Sequence, residues 1–230
     1  MYREATWVLV VAVAASAGCN RSGSGAPDAA ARQTEAIAAL KELDVRIDPA
    51  EPSAEQPVTL IALTGPKVTD DALTHVARLP KLTDLLLKDS AVTAAGLAKL
   101  SGLAALKKVD LSNTKVGDDG LGRIAHLAGI QVLVLNGTPV TDAGMASVGR
   151  LTGLRELQLA DTAVGDSGME KLKPLVLLEE LRLERTKVTD AGLDHLKGLP
   201  LKTVYVNGTG VTVAGIDKLK RDQPKVNVVP

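Results

Sequence analysis

The chain has 230 residues, 45% of them hydrophobic, with 27 basic side chains against 27 acidic ones. That is ample apolar content for a core, and a balanced charge gives no drive toward nucleic acid or an acidic substrate. A single cysteine excludes an intrachain disulfide framework and a cysteine-ligated zinc site, and with no Phe and 1% aromatics the usual stacking surfaces for bases and sugars are missing.

Residues 1–18, "MYREATWVLVVAVAASAG", place Arg3 before an apolar run from about Ala5 to Ala15 that closes in small residues. The run is shorter than the ~20 residues a spanning helix needs and has the three-part shape of a secretory signal. "SAGCN" at Ser16–Asn20 resembles a bacterial lipobox, which implies lipidation of Cys19. Ser16 departs from the usual aliphatic residue, and "ASA" at Ala15–Ala17 also fits ordinary cleavage before Gly18. The expected location is therefore the bacterial cell envelope, with membrane attachment through a lipid anchor. Residues 19–32 follow as a Gly-, Ser-, Ala- and Pro-rich tether.

Residues 33–57 read as an N-terminal cap, with a helix and then a short strand over Gln33–Asp48. From residue 58 to 222 the chain repeats with a period of 24, in units that begin at Val58, Leu82, Leu106, Ile130, Leu154, Leu178 and Leu201, the last unit one residue short. Each unit opens with Leu-x-x-Leu-x-Leu, whose period-two end predicts a short strand with one face buried. Thr fills the ninth position in five units, where a hydroxyl can bond the backbone as the chain leaves the strand. Thr or Gly at the twelfth predicts a helix N-cap, and Asp70, Asp118, Asp142, Asp166 and Asp190 suit a first helical turn. Leu193, Leu196 and Leu199 predict the buried stripe of that helix. A glycine column (Gly96, Gly120, Gly144, Gly168, Gly192, Gly215) predicts close helix packing, with a left-handed backbone as the rival explanation. Residues 223–230 read as a capping turn and strand, which a solenoid needs to cover its open end.

The units resemble those of leucine-rich repeat proteins, and "LRLERTKVTDAGLDHLKGL" is especially similar to the subtype of bacterial exported proteins and F-box substrate receptors. The resemblance implies an α/β fold: a right-handed solenoid of about seven 24-residue repeats, with a parallel β-sheet on the concave face and short helices on the convex face. It also implies a protein partner. The export signal argues against the F-box role itself.

The chemistry-bearing residues do not assemble. His75 and His195 share a repeat position five units apart, on the order of 24 Å at ~4.8 Å per strand. His126 lies elsewhere, so no histidine metal site is expected. One Asp per ~5 Å is likewise a poor calcium cage. Both "NGT" sequons, at Asn136 and Asn207, fall on the same turn of the repeat. There is no G-x-S-x-G, no phosphate-cradling glycine loop and no Cys–His pair, so neither an enzyme nor a cofactor is expected. A basic column (Lys99, Arg123, Lys171, Lys218) suits the negative helix ends, and as a patch it would suit an anionic membrane or wall polymer.

In the implied architecture a ligand meets the strand residues between the leucines. The candidates are Leu60, Asp84, Leu86, Lys108, Asp110, Val132, Val134, Gln158, Glu180, Arg182, Glu184 and Tyr205. Arg182 and Tyr205, of types enriched at interface hot spots, fall in adjacent repeats. The expected function is non-enzymatic protein–protein scaffolding in the envelope, with a cell-wall polymer or carbohydrate as the alternative ligand.

Overall fold

The computed structural model describes residues 29–43, 45–50, 53 and 56–230; the expected signal, Cys19 and most of the tether lie outside the described residues. The cap is α1 (Ala29–Lys41) and β1 (Val45–Asp48). Strand–helix pairs follow: β2 (Leu60–Leu63) and α2 (Asp70–Val76), β3 (Asp84–Leu86) and α3 (Ala94–Ala98), β4 (Lys108–Asp110) and α4 (Asp118–Ile124), β5 (Val132–Val134) and α5 (Asp142–Val148). The series continues with β6 (Glu156–Gln158) and α6 (Asp166–Glu170), β7 (Glu180–Arg182) and α7 (Asp190–Asp194), β8 (Thr203–Tyr205) and α8 (Val213–Asp222), and ends in β9 (Asn227–Val229). A 3-10 turn, Lys99–Gly102, extends α3. α1 starts ahead of Gln33, because Ala29–Ala31 are strong helix formers.

The nine strands form one sheet in sequence order. β2 to β9 are parallel, and β1 pairs antiparallel with β2, so the first edge is closed by a reversed strand. Register advances by one repeat per strand, as in Asp84↔Lys108↔Val132↔Glu156↔Glu180↔Thr203. The central strand residues (Ile61, Leu85, Val109, Leu133, Leu157, Leu181, Val204) and the leucines two positions later, Val206 in the last repeat, fill a single core with the helix residues. The helices are shorter than the Leu193–Leu196–Leu199 stripe suggests. α7 ends at Asp194, and Leu196 and Leu199 stay buried in turns closed by bonds from their amides to carbonyls three residues back.

Three columns fix the unit. At the ninth position Thr114, Thr138, Thr162 and Thr186 are buried, and each hydroxyl donates to the carbonyl three residues earlier at 2.6–2.8 Å, turning the chain off the strand. The residue before it takes a left-handed backbone in every repeat: Gly65, Asp89, Asn113, Gly137, Asp161, Arg185 and Gly208. Gly, Asp and Asn tolerate that region well, and Arg185 is the exception. The glycine column does not need positive φ. It is a packing column: a Cβ on Gly192 would sit 2.5 Å from Asp166 Oδ1 and 2.8 Å from Val188 Cγ1.

The aspartates do more than favour their own helices. Asp166 accepts from the amide and hydroxyl of Thr189 in the next repeat, both at 2.7 Å. Asp70 does the same for Thr93, Asp118 for Thr141 and Asp190 for Thr212, while Asp142 takes only the Gly165 amide. Thr93, Thr141 and Thr189 in turn accept from the amide two residues on, which caps their own helices. Each pair is therefore a clamp from one helix start to the next. One junction lacks it, because Ala94 faces Gly117 where the others have Asp and, in all but one, Thr.

Candidate functional site

The exposed sheet face carries the side chains on either side of each buried central residue. The structure divides the predicted residues into separate groups. Leu60 and Leu86 are half-buried on neighbouring strands, with Leu60 in register with Asp84 and Leu86 with Ala62 and Asp110. Asp84 accepts from the Thr83 hydroxyl at 2.6 Å, and Asp110 from the amide and hydroxyl of Ser112 at 2.9 and 2.6 Å. Lys108 and Asp110 stand between this apolar start and Val132, so the two apolar areas do not merge. Val134 corrects the expectation of an exposed contact residue. It is only 7% exposed, set in register between the longer side chains of Asp110 and Gln158.

The C-terminal half is more organised. The Gln158 amide donates to Glu156 Oε1 at 2.5 Å and accepts from Asn136 Nδ2 at 2.8 Å, while Asn136 Oδ1 takes the Ala160 amide at 2.9 Å. Beside it, Arg182 Nε donates to Glu180 at 3.0 Å, its Nη1 lies 4.0 Å from Glu184, and its guanidinium stacks over the Tyr205 ring at 4.3 Å from the centroid. Partial burial opposes the Arg182 charge. The hydrogen bond to Glu180 and the charges of Glu180, Tyr205 and Glu184 outweigh it and hold the group above its ordinary value. Glu184 Oε2 is buried with no hydrogen-bond partner among the described residues. A planar cation hydrogen-bonded through Nε and stacked over one ring face has less freedom to lose on binding.

Sequence reasoning placed Arg182 and Tyr205 in adjacent repeats and missed what lies at the strand entries. Glu179 there accepts from Arg155 at 2.9 Å and from Lys202 at 2.5 Å, and its carboxyl is held below the usual range chiefly by the Lys202 bond. With Gln131, Val132, Glu156, Glu180 and Thr203 these residues line a cleft of about 260 Å³. The signal was available: charges alternate in sign at one repeat position. The histidines stay apart in role as well as place. His75 Nδ1 is buried without a hydrogen-bond partner among the described residues, and the His126 ring meets the Ser101 carbonyl at 3.1 Å. Among the described residues no three His, Cys, Asp or Glu side chains are grouped to hold a metal ion, and no helix is long and apolar enough to cross a membrane.

A parallel sheet that advances one strand per 24 residues, backed by short helices, is an α/β solenoid of the leucine-rich repeat fold. The family model described as "Leucine Rich repeat" matches residues 104–125 and 151–173. No curated protein matches the chain. Among solved structures it is similar to an internalin C2 from Listeria monocytogenes, at 21% identity and a TM-score of 0.54 over 75% of this chain and 80% of that one. It is also similar to a leucine-rich repeat protein from Leptospira interrogans, at 15% identity and a TM-score of 0.51 over 74% of this chain and 48% of that one.

Proposed function

We propose that the protein is a non-enzymatic protein-binding scaffold of the bacterial cell envelope, held at the membrane by a lipid on Cys19. Leucine-rich repeat domains generally mediate protein–protein interaction. The observation that carries the reading further is the Arg182–Tyr205 stack, braced by Glu180 and Glu184 on the open sheet face. Arg and Tyr are hot-spot residue types, and here they are fixed before any partner arrives. The neighbouring Glu156–Gln158–Asn136 network offers polar groups to a rim around that anchor. Export and lipidation rest on the sequence of residues 1–20.

Crosslinking from intact cells with mass-spectrometric readout tests the face. Arg182→Ala combined with Tyr205→Ala is expected to deplete the captured protein partner at least tenfold, given ~2 kcal/mol or more per hot-spot residue. An unchanged partner set overturns the assignment, and retention on isolated cell-wall sacculi with no protein recovered replaces it with a wall polymer. For the anchor, Cys19→Ser is expected to shift the protein from the membrane fraction to the soluble one, and a lipid-type mass increment on Cys19 should disappear.

A further inference from the structure

The balanced charge of the chain hides an uneven distribution. From β2 onward every strand runs to the same edge of the slab before its helix begins. One edge therefore carries the N-termini of α2 to α8, and the other carries their C-termini with the turns into the next strands. The first edge carries the clamp aspartates, with Asp71 and Asp119 beside two of them, and Lys67, Lys115 and Lys187 in the turns just before the helices. The second is basic. Lys171, Lys173 and Lys197 there are engaged by acidic neighbours. Arg150, Lys220, Arg221 and Lys225 are exposed and have no ion-pair partner among the described residues.

The same edge exposes apolar side chains. Val176 is 66% and Leu177 42% exposed, in the turn between α6 and β7. Leu175 and Leu178 on either side fill the core, so the fold asks nothing apolar of the two residues between them. At the equivalent place the four preceding turns have Pro80-Lys81, Ala104-Ala105, Ala128-Gly129 and Thr152-Gly153, and the following, shorter turn has Pro200. One repeat further along, a groove of about 550 Å³ is lined by Leu199, Pro200, Leu201, Pro224 and Val226, together with Lys225, the Glu179-paired Lys202 and the Lys197-paired Asp222.

We infer that this edge, from Arg150 to Lys225, docks on an anionic lipid surface, with Val176 and Leu177 entering the boundary between headgroups and acyl chains and the unpaired cations meeting lipid phosphates. Charge complementarity selects the occupant. Protruding aliphatic side chains on an edge that also carries unpaired cations match an anionic bilayer, which offers both an apolar layer and a negative surface. A soluble polyanion would use the cations and leave Val176 and Leu177 with no role. The inference does not rest on lipidation of Cys19, and it is tested with that residue removed.

The test uses the full chain carrying Cys19→Ser and vesicles of phosphatidylcholine with or without phosphatidylglycerol. Co-sedimentation is expected with the anionic vesicles only, weakening at least tenfold between about 0.1 and 0.5 M salt. V176S with L177S should weaken it about tenfold, and K220E with R221E at least as much, with circular dichroism unchanged in both. A fluorophore on V176C should shift to the blue on adding anionic vesicles, while one on K115C at the opposite edge should not. Equal binding to neutral vesicles, insensitive to these substitutions, would assign lipid binding to residues 1–18 and overturn the inference. Binding to soluble polyglutamate that depends on Lys220 and Arg221 but not on Val176 would also overturn it, in favour of a polyelectrolyte partner.

Discussion

At Gly192 an added Cβ has nowhere to go: Asp166 Oδ1 would lie 2.5 Å away and Val188 Cγ1 2.8 Å. Gly192→Ala gains roughly 1 kcal/mol of helix propensity, but overpacking costs about 1–3 kcal/mol and the displaced carboxylate loses its hold on Thr189. The expected net loss is about 1–2 kcal/mol, read from the urea midpoint. Gly102, with nothing within 4 Å, is the control, and Gly102→Ala should be neutral or slightly stabilising. Thr186→Val removes a buried hydroxyl that donates to the Leu183 carbonyl at 2.7 Å. The loss should be only about 1 kcal/mol, because the Thr186 amide still donates to the same carbonyl. A larger loss in the same denaturation measurement would mean that the hydroxyl fixes the turn itself.

Between elements the clamps give a sharper comparison. Asp166→Ala breaks both bonds to Thr189 and is expected to cost about 1–2 kcal/mol. The Ala94–Gly117 junction allows the reverse experiment. Gly117 sits in extended backbone at φ −108°, and a Cβ there would meet nothing nearer than Pro139 at 3.8 Å. Ala94→Asp with Gly117→Thr should build the missing clamp and raise the melting temperature by several degrees, about 1 kcal/mol for the domain; either change alone should do less. Acid dependence follows the same contacts. The Thr212 amide and then its hydroxyl hold Asp190 below its ordinary carboxylate value. Its contribution to stability is therefore fully present above the unfolded value near 4 and is lost as pH falls through the lowered one. Asp190→Asn should flatten that part of the acid limb in a pH series of urea midpoints.

For the molecule as a whole, stability depends on the ends being covered. Val226 and Val228 are 5% and 4% exposed, and β9 covers the edge of β8. Ending the chain at Asp222 removes both valines and should cost at least about 3 kcal/mol by area, seen as an earlier and broader denaturant transition. The period, the Thr turns and the packing role of the glycines were legible in the sequence, since each is a local pattern repeated. The clamps were not. Asp166 and Thr189 are 23 residues apart, and nothing local says that a carboxylate serves the next unit's cap as well as its own helix. Val134 misled for a related reason: it is flanked in register by Asp110 and Gln158, each 24 residues away in the sequence, and is 7% exposed. Arg182 and Tyr205 could be placed as neighbours from register alone, but their stacking and the two glutamates that brace it required coordinates.

The glycine column also has a geometric consequence. Strands stack at ~4.8 Å, whereas helices dressed with side chains are about 10 Å across. Two walls of unequal pitch joined repeat by repeat must bend toward the tighter one. By removing a side chain where each helix meets the one before it, the glycines shorten the outer arc and ease that bend. The curvature offered to a partner is thus set on the back of the molecule, by atoms that are not there.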